Sequence, residues 1–116
     1  MHRTMLKSKI HRATVTDAQL YYEGSIALDA KLLEAADILP GERVEVLNLN
    51  NGARIETYAI PAAAGSGEVC LNGPAARTGC KGDEVIILTY ALCEEKEARQ
   101  IKPRTIHVTR DNKVKD

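Results

Sequence analysis

The side chains able to do chemistry in this sequence are few. Gly24-Ser25 sets a hydroxyl beside a peptide carbonyl whose carbon glycine leaves open. By itself the dipeptide reads as an ordinary turn, and Gly65-Ser66 repeats it in a run of small residues, so only context can single out position 25. Tyr58 carries a phenol that is still protonated near neutral pH, because its ordinary pKa is about 10, and so can act as a general acid or simply pack on a sheet. Arg54 lies four residues earlier, on the same face if the segment is a strand, where its planar fork could grip a carboxylate or rest in solvent. Lys9 has the same two readings. Cys70 and Cys80 with His11 bear no signature of a thiol nucleophile, and a lone strand histidine is more often structural.

The elements that must position these groups are short. Residues 4–16 alternate as a strand, with Leu6, Ser8, Ile10, Arg12 and Thr14 on one face and Lys7, Lys9, His11, Ala13 and Val15 on the other. A turn through residues 21–25 leads to Asp29, the N-cap of a short helix over residues 31–36 that Pro40-Gly41 stops. Residues 43–49 and 53–61 flank Asn50-Asn51-Gly52 and predict a β-hairpin. After a flexible loop of small residues at 62–67, strands are expected over 68–71 and 84–90, separated by a turn at 72–76. A helical turn over 94–99, an edge strand over 105–109 and a frayed polar end at 110–116 complete the chain. Short strands at this spacing predict a small barrel in a single domain.

Composition narrows the classes. The 116 residues are 44% apolar, enough for one core, although at this size stability is often shared between subunits. Sixteen basic residues balance sixteen acidic ones, which gives no field favouring nucleic acid or an anionic membrane. No apolar run approaches the roughly 18 residues of a membrane span, and the basic N-terminus lacks a signal-peptide core, so a cytoplasmic protein is expected. Three cysteines without C-x-x-C spacing predict reduced thiols rather than disulfides or structural zinc. There is no Trp and no Phe, and a core of Val, Ile, Leu and Ala leaves Tyr21, Tyr22, Tyr58 and Tyr90 free for other work.

Three separated segments supply the missing context. MLKSKIHRATVTDAQLYYEGS, NNGARIETYAI and LNGPAARTGCKGDEVIILTYA, in this order and spacing, strongly resemble the pyruvoyl-dependent aspartate 1-decarboxylases across residues 3–93, and more weakly through the tail. The resemblance implies a six-stranded double-psi β-barrel assembled as a homotetramer, with sites between subunits. It implies self-cleavage between Gly24 and Ser25 into residues 1–24 (the β chain) and 25–116 (the α chain), assisted by Thr57 and Asn72, with Ser25 becoming a covalent pyruvoyl group. That group would form a Schiff base with L-aspartate and act as electron sink for its decarboxylation to β-alanine, for pantothenate biosynthesis, without pyridoxal phosphate or metal. Tyr58 is then the proton donor, and Lys9, Tyr22, Arg54, Thr57, Gly73, Pro74 and Ala75 surround the substrate. A maturation helper protein is a further partner consistent with the family. Pro74 stands where the family usually has alanine and has no N–H to offer, so contacts are expected from Gly73 and Ala75 instead. Strict alternation sets Thr57 and Tyr58 on opposite faces, a conflict that a β-bulge or a site shared between subunits would resolve.

Overall fold

The computed structural model describes residues 1–115. Its strands are β1 (His2–Thr14), β2 (Asp17–Gln19), β3 (Ser25–Asp29), β4 (Arg43–Asn48), β5 (Arg54–Ala62), β6 (Val69–Asn72), β7 (Glu84–Glu94) and β8 (Arg104–His107), with helices α1 (Ala30–Ala36) and α2 (Glu95–Ala98) and a 3-10 helix over Gly73–Arg77. The fold is mainly β, as expected. Among the described residues the strands number eight rather than six, and their pairing runs in the order β2-β6-β3-β5-β4-β7-β1-β8 from one edge to the other without closing. The two strands absent from the sequence reading are β2, of three residues, and β3, whose five residues are all buried and so show no alternation. No helix among the described residues is long and apolar enough to cross a membrane.

The core is aliphatic. Ile10, Ile26, Leu28, Leu32, Leu71 and Ile87 are its largest fully buried side chains, and all four tyrosines lie outside it, Tyr21 and Tyr22 most exposed. Two register shifts against β7 interrupt the expected alternation of β1, the first between Leu6 and Ser8 and the second between Ile10 and Ala13. Ile10 pairs with Ile87 and Ala13 with Val85, so three steps on β1 oppose two on β7, and Arg12 takes a φ of 64° in the bulge. Past this point the odd-numbered Ala13 and Val15 are buried in place of Arg12 and Thr14. A bulge changes the parity of a strand, which a strict period-two reading cannot anticipate.

The hairpin forms as expected around residues 49–53, with Asn48 and Asn51 side chains accepting from the amides of Asn50 and Ala53. Asp29 caps α1 by accepting from Lys31 N at 2.9 Å. It also accepts from Gly65 N at 2.9 Å and Gly67 N at 2.8 Å, so the small-residue loop is anchored rather than free. Burial pulls the Asp29 carboxyl upward, but the three amide donors and the Lys113 charge outweigh it and hold the group below its ordinary value. Helix α1 ends earlier than Pro40-Gly41, at Asp37, whose φ of 56° turns the chain.

The tail departs furthest from expectation. Val108 bridges Val114, and Asn112 is 1% exposed with a φ of 61°. The Asn112 amide accepts from Thr14 N at 2.7 Å and donates to Thr14 O at 2.8 Å and Gly67 O at 2.7 Å. Residues 110–115 are therefore fastened to β1 and to the Asp29-anchored loop; Asp116, the last residue of the expected frayed end, lies outside the described residues. Asn112→Ala leaves these buried backbone groups unpaired and should lower stability by about 2–4 kcal/mol. The check is the urea midpoint at fixed protein concentration, which should fall with an unchanged m-value; an unmoved midpoint would mean that the tail does not belong to the cooperative unit.

Candidate active site at Ser25

Ser25 opens β3, which lies between β5 on its parallel side and β6 on its antiparallel side. It is 1% exposed, and its φ of 151° falls in a region that side-chain-bearing residues rarely adopt, at a cost of about 1–3 kcal/mol. Ser25 faces Asn72 across the β3–β6 ladder, and Asn72 Nδ2 donates to Ser25 Oγ at 3.1 Å. Asn72 is itself buried. The serine hydroxyl is thus withdrawn from water and held by a single amide donor next to the Gly24 carbonyl.

Gly73 seats the segment that precedes Ser25. Its φ of +64° favours glycine, and a Cβ there would lie 2.9 Å from Gly24 Cα and 3.0 Å from Tyr22 O. The backbone of residues 22–24 therefore rests directly on the start of the 3-10 helix. Pro74 sits in the first turn of that helix, where the lost N–H costs little, and its Cδ faces Gly24. Thr78 closes the helix with its amide and hydroxyl on Ala75 O.

A cavity of about 380 Å³ opens beside Gly24 and Ser25 and is lined also by Thr57, Asn72, Pro74 and Ala75, all expected from the sequence. Ile55 and Glu56 line it too and were not expected, although Ile55 shares the face of Thr57 two residues away. Glu56 is the only charged residue among the described residues lining this cavity. A dicarboxylic amino acid would find no cation there.

The remaining expected residues stand elsewhere. Strand β5 keeps one continuous register with β4, from Arg43 opposite Tyr58 to Leu47 opposite Arg54, so no bulge separates Thr57 from Tyr58. Arg54 and Tyr58 lie on the outward face, and Arg54 donates to Glu45 at 2.7 Å. Lys9 is half-buried on β1, opposite Leu88 and Thr105, in the same neighbourhood as His11 and His107. The two imidazoles meet edge to face at 5.5 Å. Burial, followed by the charges of Lys9, His107 and Arg12, pushes the His11 pKa below its ordinary value. Tyr22 is 54% exposed in the turn before Gly24. One chain thus unites the cleavage group but not the cations and the phenol.

The thiols follow the same division of burial. Cys70 and Cys93 are buried and Cys80 is exposed, all three unbridged. Cys70 lies two residues before Asn72 on the same face of β6, with Sγ 3.2 Å from Asn72 Oδ1, a contact that the sequence reading did not single out.

The profile of the aspartate decarboxylase family matches residues 1–115. Proteins named aspartate 1-decarboxylase match over nearly their full lengths: that of Thermoanaerobacter pseudethanolicus is 57% identical, covering 97% of this chain and 97% of its own. That of Carboxydothermus hydrogenoformans is 58% identical over 98% of this chain and 90% of its own, and that of Syntrophus aciditrophicus 55% identical over 99% of both. With a buried, backbone-strained serine after glycine, an asparagine donor on its hydroxyl and near-complete correspondence to these enzymes, the chain belongs to the aspartate decarboxylase family.

Proposed function

We propose that this decarboxylase cuts itself between Gly24 and Ser25, turns Ser25 into a pyruvoyl group, and converts L-aspartate to β-alanine and carbon dioxide, supplying β-alanine for pantothenate. The observation that carries the reading is Ser25 itself, buried at a φ of 151° with Oγ on the Asn72 amide and a cavity alongside. Strain at this position is released when the peptide breaks, and the close seat on Gly73 limits the motions available to the Gly24 carbonyl.

In the proposed cleavage Ser25 Oγ attacks the Gly24 carbonyl carbon, the Gly24–Ser25 C–N bond breaks, and the Ser25 nitrogen takes the hydroxyl proton as the peptide becomes an ester. Loss of the Ser25 α-proton then expels the Gly24 carboxylate with the serine oxygen in it, leaving a dehydroalanine on residues 25–116. Water replaces its nitrogen, which departs as ammonia, and the keto group remains. Thr57, lining the same cavity, is assigned to the Gly24 carbonyl during the attack.

The pyruvoyl group supplies an electron sink for the pair left when the α-carboxylate departs, and Ser25, its precursor, sits where such a group would face the cavity. Arg54 holds the β-carboxylate in its fork, with Lys9 adding positive charge. Tyr58 returns a proton to the carbon that has lost carbon dioxide, and Tyr22, Gly73, Pro74 and Ala75 close around the substrate. These roles need Arg54, Lys9 and Tyr58 beside a cavity whose own charged residue is Glu56, which supports a site completed by the outward face of a neighbouring copy in a homotetramer. The three parallel pairings, β1–β8, β2–β6 and β3–β5, in an otherwise antiparallel sheet are compatible with a double-psi barrel.

Ser25→Ala should give a full-length, folded chain that makes no β-alanine. A Ser25→Ala chain cleaved at position 24, or one that turns over aspartate, would remove Ser25 from its role. Tyr58→Phe should still be cleaved yet lose most turnover, by roughly 100-fold or more for a missing general acid. Refolding the two inactive variants together should recover activity, because a mixed oligomer can join a processed Ser25 from one copy to Tyr58 from another. Absence of recovery in verified mixed oligomers would argue for a site within one chain. Aspartate and glutamate assayed side by side test the substrate, and turnover of glutamate equal to that of aspartate would contradict the assignment.

A further inference from the structure

The side-chain amide of Asn72 has two unlike ends, an oxygen that only accepts and a nitrogen that only donates. Ser25 does not choose between them, because a hydroxyl can donate to one or accept from the other. The choice decides what Asn72 does to the serine oxygen. With Oδ1 toward Ser25, the amide accepts from the hydroxyl and has no N–H to give Oγ. With Nδ2 toward Ser25, an N–H orients the hydroxyl and stands ready for the negative charge that Oγ takes on when it leaves with the Gly24 carboxylate.

A second contact makes the choice. Cys70 Sγ lies 3.2 Å from Asn72 Oδ1, while Asn72 Nδ2 lies 3.1 Å from Ser25 Oγ, so the amide spans the thiol and the hydroxyl. A thiol is a weak donor and a weak acceptor, and the 3.2 Å contact with Oδ1 uses its S–H as the donor, which sets Oδ1 on the cysteine side. All three residues are buried, leaving little water to compete for either end of the amide. Cys70 and Asn72 project from the same face of β6, and their ladder partners are Ala27 and Ser25, so sheet register delivers the thiol to the amide.

We propose that Cys70 is a positioning residue for self-cleavage: its S–H holds Asn72 Oδ1 and thereby presents Asn72 Nδ2–H to Ser25 Oγ. Burial, with the charges of Asp17 and Glu68 adding to it, pushes the Cys70 thiol above its ordinary pKa, so the donor is retained at neutral pH. The inference rests on the self-cleavage reading above. It concerns the making of the cofactor rather than its use, because the serine oxygen leaves residue 25 during maturation.

The test compares wild type, Cys70→Ser and Cys70→Val in freshly synthesised full chains, following cleavage at Gly24-Ser25 by intact mass against time, with thermal midpoints alongside. Cys70→Ser keeps a donor and should cleave within about twofold of wild type, whereas the near-isosteric Cys70→Val should slow cleavage about tenfold, as for loss of one oriented hydrogen bond. Turnover per cleaved chain should be alike in all three. If Cys70→Val does not fold, Cys70→Ala takes its place. Cleavage of the valine or alanine chain at the wild-type rate overturns the inference alone, as does equal slowing by serine and valine. A wild-type chain that never cleaves overturns the self-cleavage reading and the inference together.

Discussion

The structure turns on the backbone of one buried serine. Ser25 could relax toward ordinary strand geometry only if β3 were free to move, and β3 is held between β5 and β6 in the middle of the sheet. Its five buried residues tie the local strain to the aliphatic core, while Asn72 and Gly73 hold the serine hydroxyl and the preceding backbone from the other side. Burial of Ile26 and Leu28, each worth about 1.5–3 kcal/mol, is of the size needed to sustain a strain of about 1–3 kcal/mol at the strand's first residue. The strain is thus carried by the fold as a whole.

Charge and strand parity then determine what one chain lacks. Thr57 faces the Ser25 cavity because β5 alternates without interruption, and the same alternation turns Arg54 and Tyr58 outward. The one charged residue among the described lining residues, Glu56, lies on the outward face with Arg54 and Tyr58 and is paired with Arg43, so the cavity lining itself offers no cation to an amino acid with two carboxylates. The proposed homotetramer would meet both constraints by presenting the outer face of one β5 to the Ser25 cavity of another chain. Exposed Tyr58, Tyr90 and Leu92 would lose apolar surface to water exclusion in such a contact.

Much of this was legible in the sequence, and the failures have physical causes. The hairpin, the Asp29 cap and the aliphatic core without aromatics follow from local chemistry and were read correctly. Strand β3 was missed because burial on both faces erases the period-two signal, and the reversal of parity in β1 because a bulge at Arg12 depends on pairing with β7. The tail was misjudged because polar Asn112 earns burial only through partners about a hundred and about fifty residues away in sequence, Thr14 and Gly67. At the candidate site, motif resemblance pointed to Ser25, Thr57, Asn72 and Gly73–Ala75, which the fold does gather. It could not reveal Cys70, whose relevance lies in a side-chain contact across two residues of one strand.

The central claim is that Ser25 is consumed to make the cofactor, and the most direct measurement is the intact mass of the purified protein under denaturing conditions. Two fragments are expected, residues 1–24 and residues 25–116, with the larger carrying a keto group in place of the serine amine. A single full-length chain, unchanged by prolonged incubation alone or with cell extract to supply any maturation factor, would contradict the claim.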